Sequence, residues 1–95
     1  GCPVLGVYTK EDCEKNNEGG QKGCTDATRT SASVTCMKGK PRVNGPDLAP
    51  QTVDTITCNF TNNMWTFVSD LETLTQEDMQ MLLGGTPILV ACINP

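Results

Sequence analysis

The chain has 95 residues, no histidine and a net charge of −4, a balance that opposes non-specific attraction to nucleic acid or to anionic lipid. Its longest apolar run, Ile88 to Ile93, has the length of a strand and falls far short of a membrane span. With four aromatic residues (Tyr8, Phe60, Trp65 and Phe67) a domain of this size has a thin core, so its six cysteines must contribute much of its stability.

Gly1 to Thr9 has the composition of a short strand anchored by Cys2, with Val4, Leu5, Val7 and Tyr8 as packing candidates. Lys10 to Gly23, charged and rich in Asn and Gly with no apolar period, reads as a solvated loop pinned by Cys13 and Cys24. It lacks the D-x-D-x-D-G pattern of a calcium loop. Ala27 to Met37 alternates like a strand, with Thr30, Ala32, Val34 and Cys36 on one side and Arg29, Ser31, Ser33 and Thr35 on the other. Lys38 to Gln51 carries Pro41, Pro46 and Pro50 with Gly39 and Gly45, which argues against a helix or a central strand. An irregular stretch of that length in a compact domain is expected to bind or to move.

Thr52 to Val68 is the best-defined piece, a β-hairpin whose Asn62-Asn63 pair tolerates the positive φ of a tight turn. A two-residue loop sets Phe60 against Trp65 and Cys58 against Phe67, with Ile56 on the same apolar face. Thr57, Asn59, Thr61, Met64 and Thr66 take the other. Thr75 caps a short helix over Gln76 to Leu83, with Asp78 completing a capping box and Gly84 as the stop. Ser69 with Glu72 offers an earlier start. Leu74, Met79, Leu82 and Leu83 make the helix's apolar stripe. Pro87 opens Ile88 to Ile93, a continuous apolar run that reads as a central strand buried on both faces. The expected fold is a small disulfide-rich domain over 1–95, mainly β as an antiparallel sheet or sandwich, with one short α-helix.

An even cysteine count in a short chain implies three disulfides among Cys2, Cys13, Cys24, Cys36, Cys58 and Cys92, and an extracellular compartment. Six cysteines allow 15 pairings, and the spacing does not choose among them. Without histidine or a C-x-x-C the metal alternative has no support. Nor is there a usual general base for a Ser, Thr or Cys nucleophile, and paired cysteines have no thiolate to offer. Glu11-Asp12 and Glu77-Asp78 lie in polar surroundings that do not raise a carboxyl pKa as a general acid requires. Gly19-Gly20 and Gly84-Gly85 lack the strand-to-helix context of a phosphate loop. Neither enzyme activity nor a cofactor is expected.

The order SVTC, then TITCNFTNNMWTF, then LVACI resembles the extracellular six-cysteine modules of nematode proteins. It is also similar to complement-control (sushi) modules, in which a strand cysteine precedes a Gly or Asn turn and a tryptophan, although here a helix separates Trp65 from Cys92. The resemblance implies an extracellular disulfide-bonded domain and assigns no catalytic or ligand-binding residue.

The resulting expectation is a secreted or cell-surface recognition module for a protein or glycan partner. It is not expected to bind nucleic acid or to insert into a membrane. Starting at Gly1 without a methionine or leader, the chain reads as a mature product or an excised module. Lys38, Lys40 and Arg42, in the loop from Lys38 to Gln51, are the contact candidates. Asn59-Phe60-Thr61 is an N-glycosylation acceptor pattern. Trp65 is expected in the core rather than at an interface. Two alternatives remain: a serine-protease inhibitor presenting Arg29 between Cys24 and Cys36, and a structural spacer within a larger extracellular protein.

Overall fold

The computed structural model describes residues 1–15, 23–44 and 51–94. In chain order its elements are β1 (Gly6–Val7), α1 (Lys10–Lys15), β2 (Cys24–Thr25), β3 (Thr28–Arg29), β4 (Ser33–Thr35), β5 (Lys40–Val43), β6 (Gln51–Thr52), β7 (Thr55–Asn59), β8 (Met64–Val68), β9 (Thr73–Thr75), α2 (Gln76–Leu82) and β10 (Leu89–Ile93). One sheet runs β1-β10-β5-β6 with β2 also on β10, and the other runs β3-β4-β7-β8-β9. The mainly β, disulfide-rich architecture expected from the sequence is therefore present, as two sheets sharing a core, with a second short helix in addition.

The β7–β8 hairpin forms with the expected inward face, since Ile56, Cys58, Trp65 and Phe67 are all buried. Its register differs by two residues. Ile56 pairs with Phe67, Cys58 with Trp65 and Asn59 with Met64, which leaves residues 60–63 as a four-residue loop and Phe60 63% exposed. A shift of two preserves every side chain's face, so alternation alone does not distinguish the registers. The local bonds do. A two-residue type I′ turn needs positive φ at both central positions, but only Asn63 has it, at 54°. Asn59 Oδ1 accepts the Thr61 N–H at 2.9 Å and Asn62 Oδ1 accepts that of Met64 at 3.1 Å, so side-chain turns close the wider loop.

β10 is the central strand that its apolar run suggests. Val90, Ala91, Cys92 and Ile93 are buried. Antiparallel β5 lies along one side; parallel β1 pairs with its start and antiparallel β2 with its end on the other. Val43 and Val90 face the shared core with Ile56, Trp65 and Phe67, while Ala91 and Ile93 face a smaller cluster with Tyr8, Cys13 and Cys24. Asn44 extends the β5–β10 ladder with its side chain, donating to the Pro87 carbonyl at 3.0 Å and accepting from the Leu89 N–H at 2.8 Å.

α2 starts and stops where the sequence indicates. The Thr75 hydroxyl accepts the Asp78 N–H at 3.1 Å, the Asp78 carboxylate accepts that of Thr75 at 3.0 Å, and Gly84 follows the last turn at φ 61°. Met79 and Leu83 are buried, Leu74 packs at the edge, and Leu82 remains 43% exposed. Gln76 Oε1 accepts the Trp65 N–H at 2.9 Å, which ties the helix to β8. Ser69 and Glu72 close a turn between β8 and β9 instead of opening a helix.

Four other expectations are corrected. Lys10–Lys15 is helical because Thr9 caps it, its hydroxyl accepting the Asp12 N–H at 3.2 Å, and the Cys13 N–H reaches the Thr9 carbonyl. The remainder of that expected loop, 16–22, lies outside the described residues. The single strand expected over Ala27 to Met37 is the β3–β4 hairpin, folded at Thr30, whose hydroxyl accepts the N–H groups of Ala32 and Ser33. β5 passes through Pro41 within a sheet. Pro41 accepts from Val53 at 3.0 Å on the side where its own N–H is missing, next to the short edge strand β6, so β10 loses no bond. In the N-terminal segment Leu5 and Tyr8 pack as expected, but Val4 and Val7 are 54% and 41% exposed.

The disulfides join Cys2 to Cys58, Cys13 to Cys24 and Cys36 to Cys92. The first secures the N-terminal segment to β7, the second fastens α1 to β2, and the third connects the segment after β4 to the centre of the other sheet. Trp65 donates its indole N–H to the Pro3 carbonyl at 3.0 Å, so the core tryptophan is satisfied as well as buried.

Candidate functional site

Two of the chain's passages between the sheets lie close together, at residues 36–39, from β4 to β5, and at 53–54, from β6 to β7. These two crossings are joined by Lys40, whose Nζ lies 2.7 Å from Asp54 Oδ1. The first crossing is anchored at both ends. Cys36 is held by Cys92, and Gly39, at φ 74°, lies so close to β10 that a Cβ there would overlap the Ile93 carbonyl oxygen. Between these anchors Met37 is 99% exposed, with Lys38 exposed beside it.

Asp54 borders two shallow clefts. One, of about 240 Å³, lies between the crossings and is lined by Thr35, Cys36, Gly39, Pro41 and Thr55. The other, of about 230 Å³, is lined by Lys40, Thr52, Ser69, Asp70 and Leu71. Leu71 is 95% exposed at the tip of the β8–β9 turn. The hydrogen bond from Lys40 holds the Asp54 carboxyl below the usual aspartate range. The same bond raises the Lys40 ammonium. Leu71 thus stands bare beside Lys40, Asp54 and Asp70, and Met37 stands bare on the crossing that leads into Lys40.

The three basic contact candidates do not form one exposed patch. Lys38 is exposed, Lys40 is committed to Asp54, and Arg42 is only 3% exposed. Arg42 pairs with Ala91 on the face that carries Tyr8, where burial lowers its pKa and Tyr8 opposes the shift. In sequence the three are spaced two apart, but the strand begins only at Lys40, and within it the Arg42 side chain is buried. Residues 45–50 of the expected contact loop lie outside the described residues.

Arg29 lies in β3 opposite Val34, half-buried, and its Nη1 donates to the Leu5 carbonyl. It holds the N-terminal segment to the sheet edge. Asn59 is exposed at the end of β7, with its sequon running into the hairpin loop.

Met37, Leu71 and Asp54 were not among the residues picked out by sequence. Met37 stands at the end of an alternating run and reads there as part of a strand. Leu71 belongs to no period, and an apolar residue between Asp70 and Glu72 at a turn was the available signal.

All six cysteines are in disulfides, and no group of three or more Asp, Glu, Cys or His suited to a metal occurs among the described residues. Three disulfides are consistent with an extracellular protein, and no helix among the described residues is long and apolar enough to cross a membrane. The fold defines a two-sheet, three-disulfide domain whose crossing end carries exposed apolar residues beside the Lys40–Asp54 pair. Comparison with protein-family models, with curated proteins and with solved structures finds no match for this chain.

Proposed function

We propose that this chain is a secreted or cell-surface recognition module, non-catalytic, that docks a protein partner through the crossing end of its sandwich. The observation that carries this reading is the fixing of Met37 and Lys38 between the Cys36–Cys92 bridge and Gly39. An apolar side chain that is 99% exposed on a mobile segment would be of little use to a partner. On a backbone pinned at both ends it binds with little further loss of conformational freedom. Leu71 adds a second anchor beside the Lys40–Asp54–Asp70 group, and apolar anchors with a charged surround are how compact interfaces divide affinity from specificity.

The inhibitor alternative requires Arg29 to enter a protease pocket, for which its guanidinium must first leave the Leu5 carbonyl. The crossing end needs no such rearrangement and is the preferred surface.

The test is affinity capture from extracellular fluid and membrane fractions by the oxidised domain, with the reduced and alkylated form as control. Met37→Ala, Lys38→Ala and Leu71→Ala together should weaken saturable capture by roughly ten-fold or more while the circular dichroism spectrum is unchanged. Capture unaffected by the triple substitution would reject the surface. Recovery of a serine protease that is lost with Arg29→Ala would establish the inhibitor instead.

A further inference from the structure

We propose that Asn59 carries an N-linked oligosaccharide and that its first sugar packs on Phe60, so that the glycan completes the hairpin end. The inference rests on the secretory route in the proposed function and not on the docking surface. Asn59-Phe60-Thr61 has the acceptor pattern. The fold adds three facts that the pattern does not contain.

Asn59 is the last paired residue of β7, opposite Met64, and is exposed. Its Oδ1 accepts the Thr61 N–H at 2.9 Å, while Nδ2 makes no hydrogen bond among the described residues. Because that bond joins residues two apart, it can form before the sheets assemble. The amide nitrogen is then available when the donor is offered. Thirdly, Phe60 is 63% exposed in a protein that buries its Trp65 and Phe67 to 1%. An aromatic left out of so small a core directly follows the acceptor in the chain, with its side chain accessible. The apolar C–H face of a hexose is suited to such a ring.

The modification joins Asn59 Nδ2 to C1 of the first sugar of a polyprenyl-diphosphate-linked oligosaccharide. The C1–oxygen bond to the diphosphate breaks, the polyprenyl diphosphate leaves with that electron pair, and the amide nitrogen gives up one proton.

The experiment expresses the full chain through a eukaryotic secretory pathway and measures intact mass before and after peptide-N-glycosidase treatment in heavy-oxygen water. Product retained along the pathway is measured in the same way. The expected result is a glycan mass that disappears on treatment, an Asp bearing heavy oxygen at position 59, and no glycan on Asn59→Gln or Thr61→Ala. A product at its unmodified mass overturns the proposal and leaves the docking surface untouched. The packing is read by unfolding the wild type and Phe60→Ala, each with the glycan and each made without it in a host that lacks N-glycosylation, so that residue 59 keeps the same backbone and acceptor oxygen in both forms. The glycan should lower the unfolding equilibrium constant by roughly three- to ten-fold in the wild type and leave it unchanged in Phe60→Ala. An equal effect in both overturns the contact with Phe60.

Discussion

Gly39 and Gly84 both have positive φ, at 74° and 61°, but they differ in what surrounds them. A Cβ at Gly84 would meet nothing within 4 Å, whereas at Gly39 it would overlap the Ile93 carbonyl oxygen and stand 2.8 Å from its carbon and 3.1 Å from Asn94 Cα. The obstacles at Gly39 are backbone atoms, which cannot turn aside as a side-chain tip can. Substituting alanine imposes a left-handed conformation worth about 1–2 kcal/mol at either site, partly offset by the stiffer unfolded chain. Gly39→Ala adds an overpacking cost of about 1–3 kcal/mol. The expected losses are therefore about 1 kcal/mol for Gly84→Ala and about 2–4 kcal/mol for Gly39→Ala. Urea unfolding with the disulfides intact measures both, and a lower midpoint at constant m-value identifies a change in stability. If Gly39→Ala costs no more than Gly84→Ala, the close approach of residue 39 to β10 does not constrain the crossing, and the rigid presentation of Met37 and Lys38 loses its basis.

The Lys40–Asp54 pair should be visible in pH titrations. The depressed Asp54 pKa means that its stabilisation is present above the unfolded aspartate value of about 3.9 and is lost as pH falls through the lower folded one. The raised Lys40 pKa contributes below the unfolded lysine value of about 10.4 and is lost as pH rises through the folded one. Lys40→Met should move the Asp54 carboxyl midpoint upward when followed by carbon NMR, and an unmoved midpoint would remove the pair from the site. Replacing Cys2 and Cys58 together by alanine should cost more than replacing Cys13 and Cys24, because the bridges separate 56 and 11 residues. Chain entropy gives about 4 against about 3 kcal/mol. Denaturation of the two double variants measures this order, and its reversal would show that native-state packing outweighs loop length.

The features legible in the sequence were those specified by neighbours in the chain or by an unbroken pattern. The Thr75–Asp78 capping box, the Gly84 stop, the inward face of the hairpin and the doubly buried run ending at Ile93 all belong to this kind. The hairpin register was not legible, because period-two alternation is blind to a shift of two and the deciding Asx bonds depend on local geometry. Pro41 pointed away from a sheet, and nothing local indicates that its missing donor faces the edge strand side. Of the basic contact candidates, Arg42 reads as a surface residue until β5 is known to pair with Ala91 on one side and Thr52 on the other. Thr9 and Asp12 did carry a capping signal for α1, but the absence of an apolar period masked a helix that is held through one buried cysteine. The crossing end was hidden for a related reason. It is made where residues 36–39, 53–54 and 69–71 meet, and each of those stretches alone looks like an ordinary turn.

The spans of the Cys2–Cys58 and Cys36–Cys92 bridges overlap between residues 36 and 58, and the Cys13–Cys24 bridge lies within the first. No peptide bond between Cys2 and Cys92 is therefore outside a closed covalent ring. A protease that cuts once anywhere in this interval releases nothing: the two pieces remain linked, and a cut between Cys36 and Cys58 is spanned twice. A nicked molecule would migrate with the intact one until reduced. In a compartment rich in proteases, damage to a surface loop would thus be confined to that loop, and removal of the domain would require a second cut or a reductant.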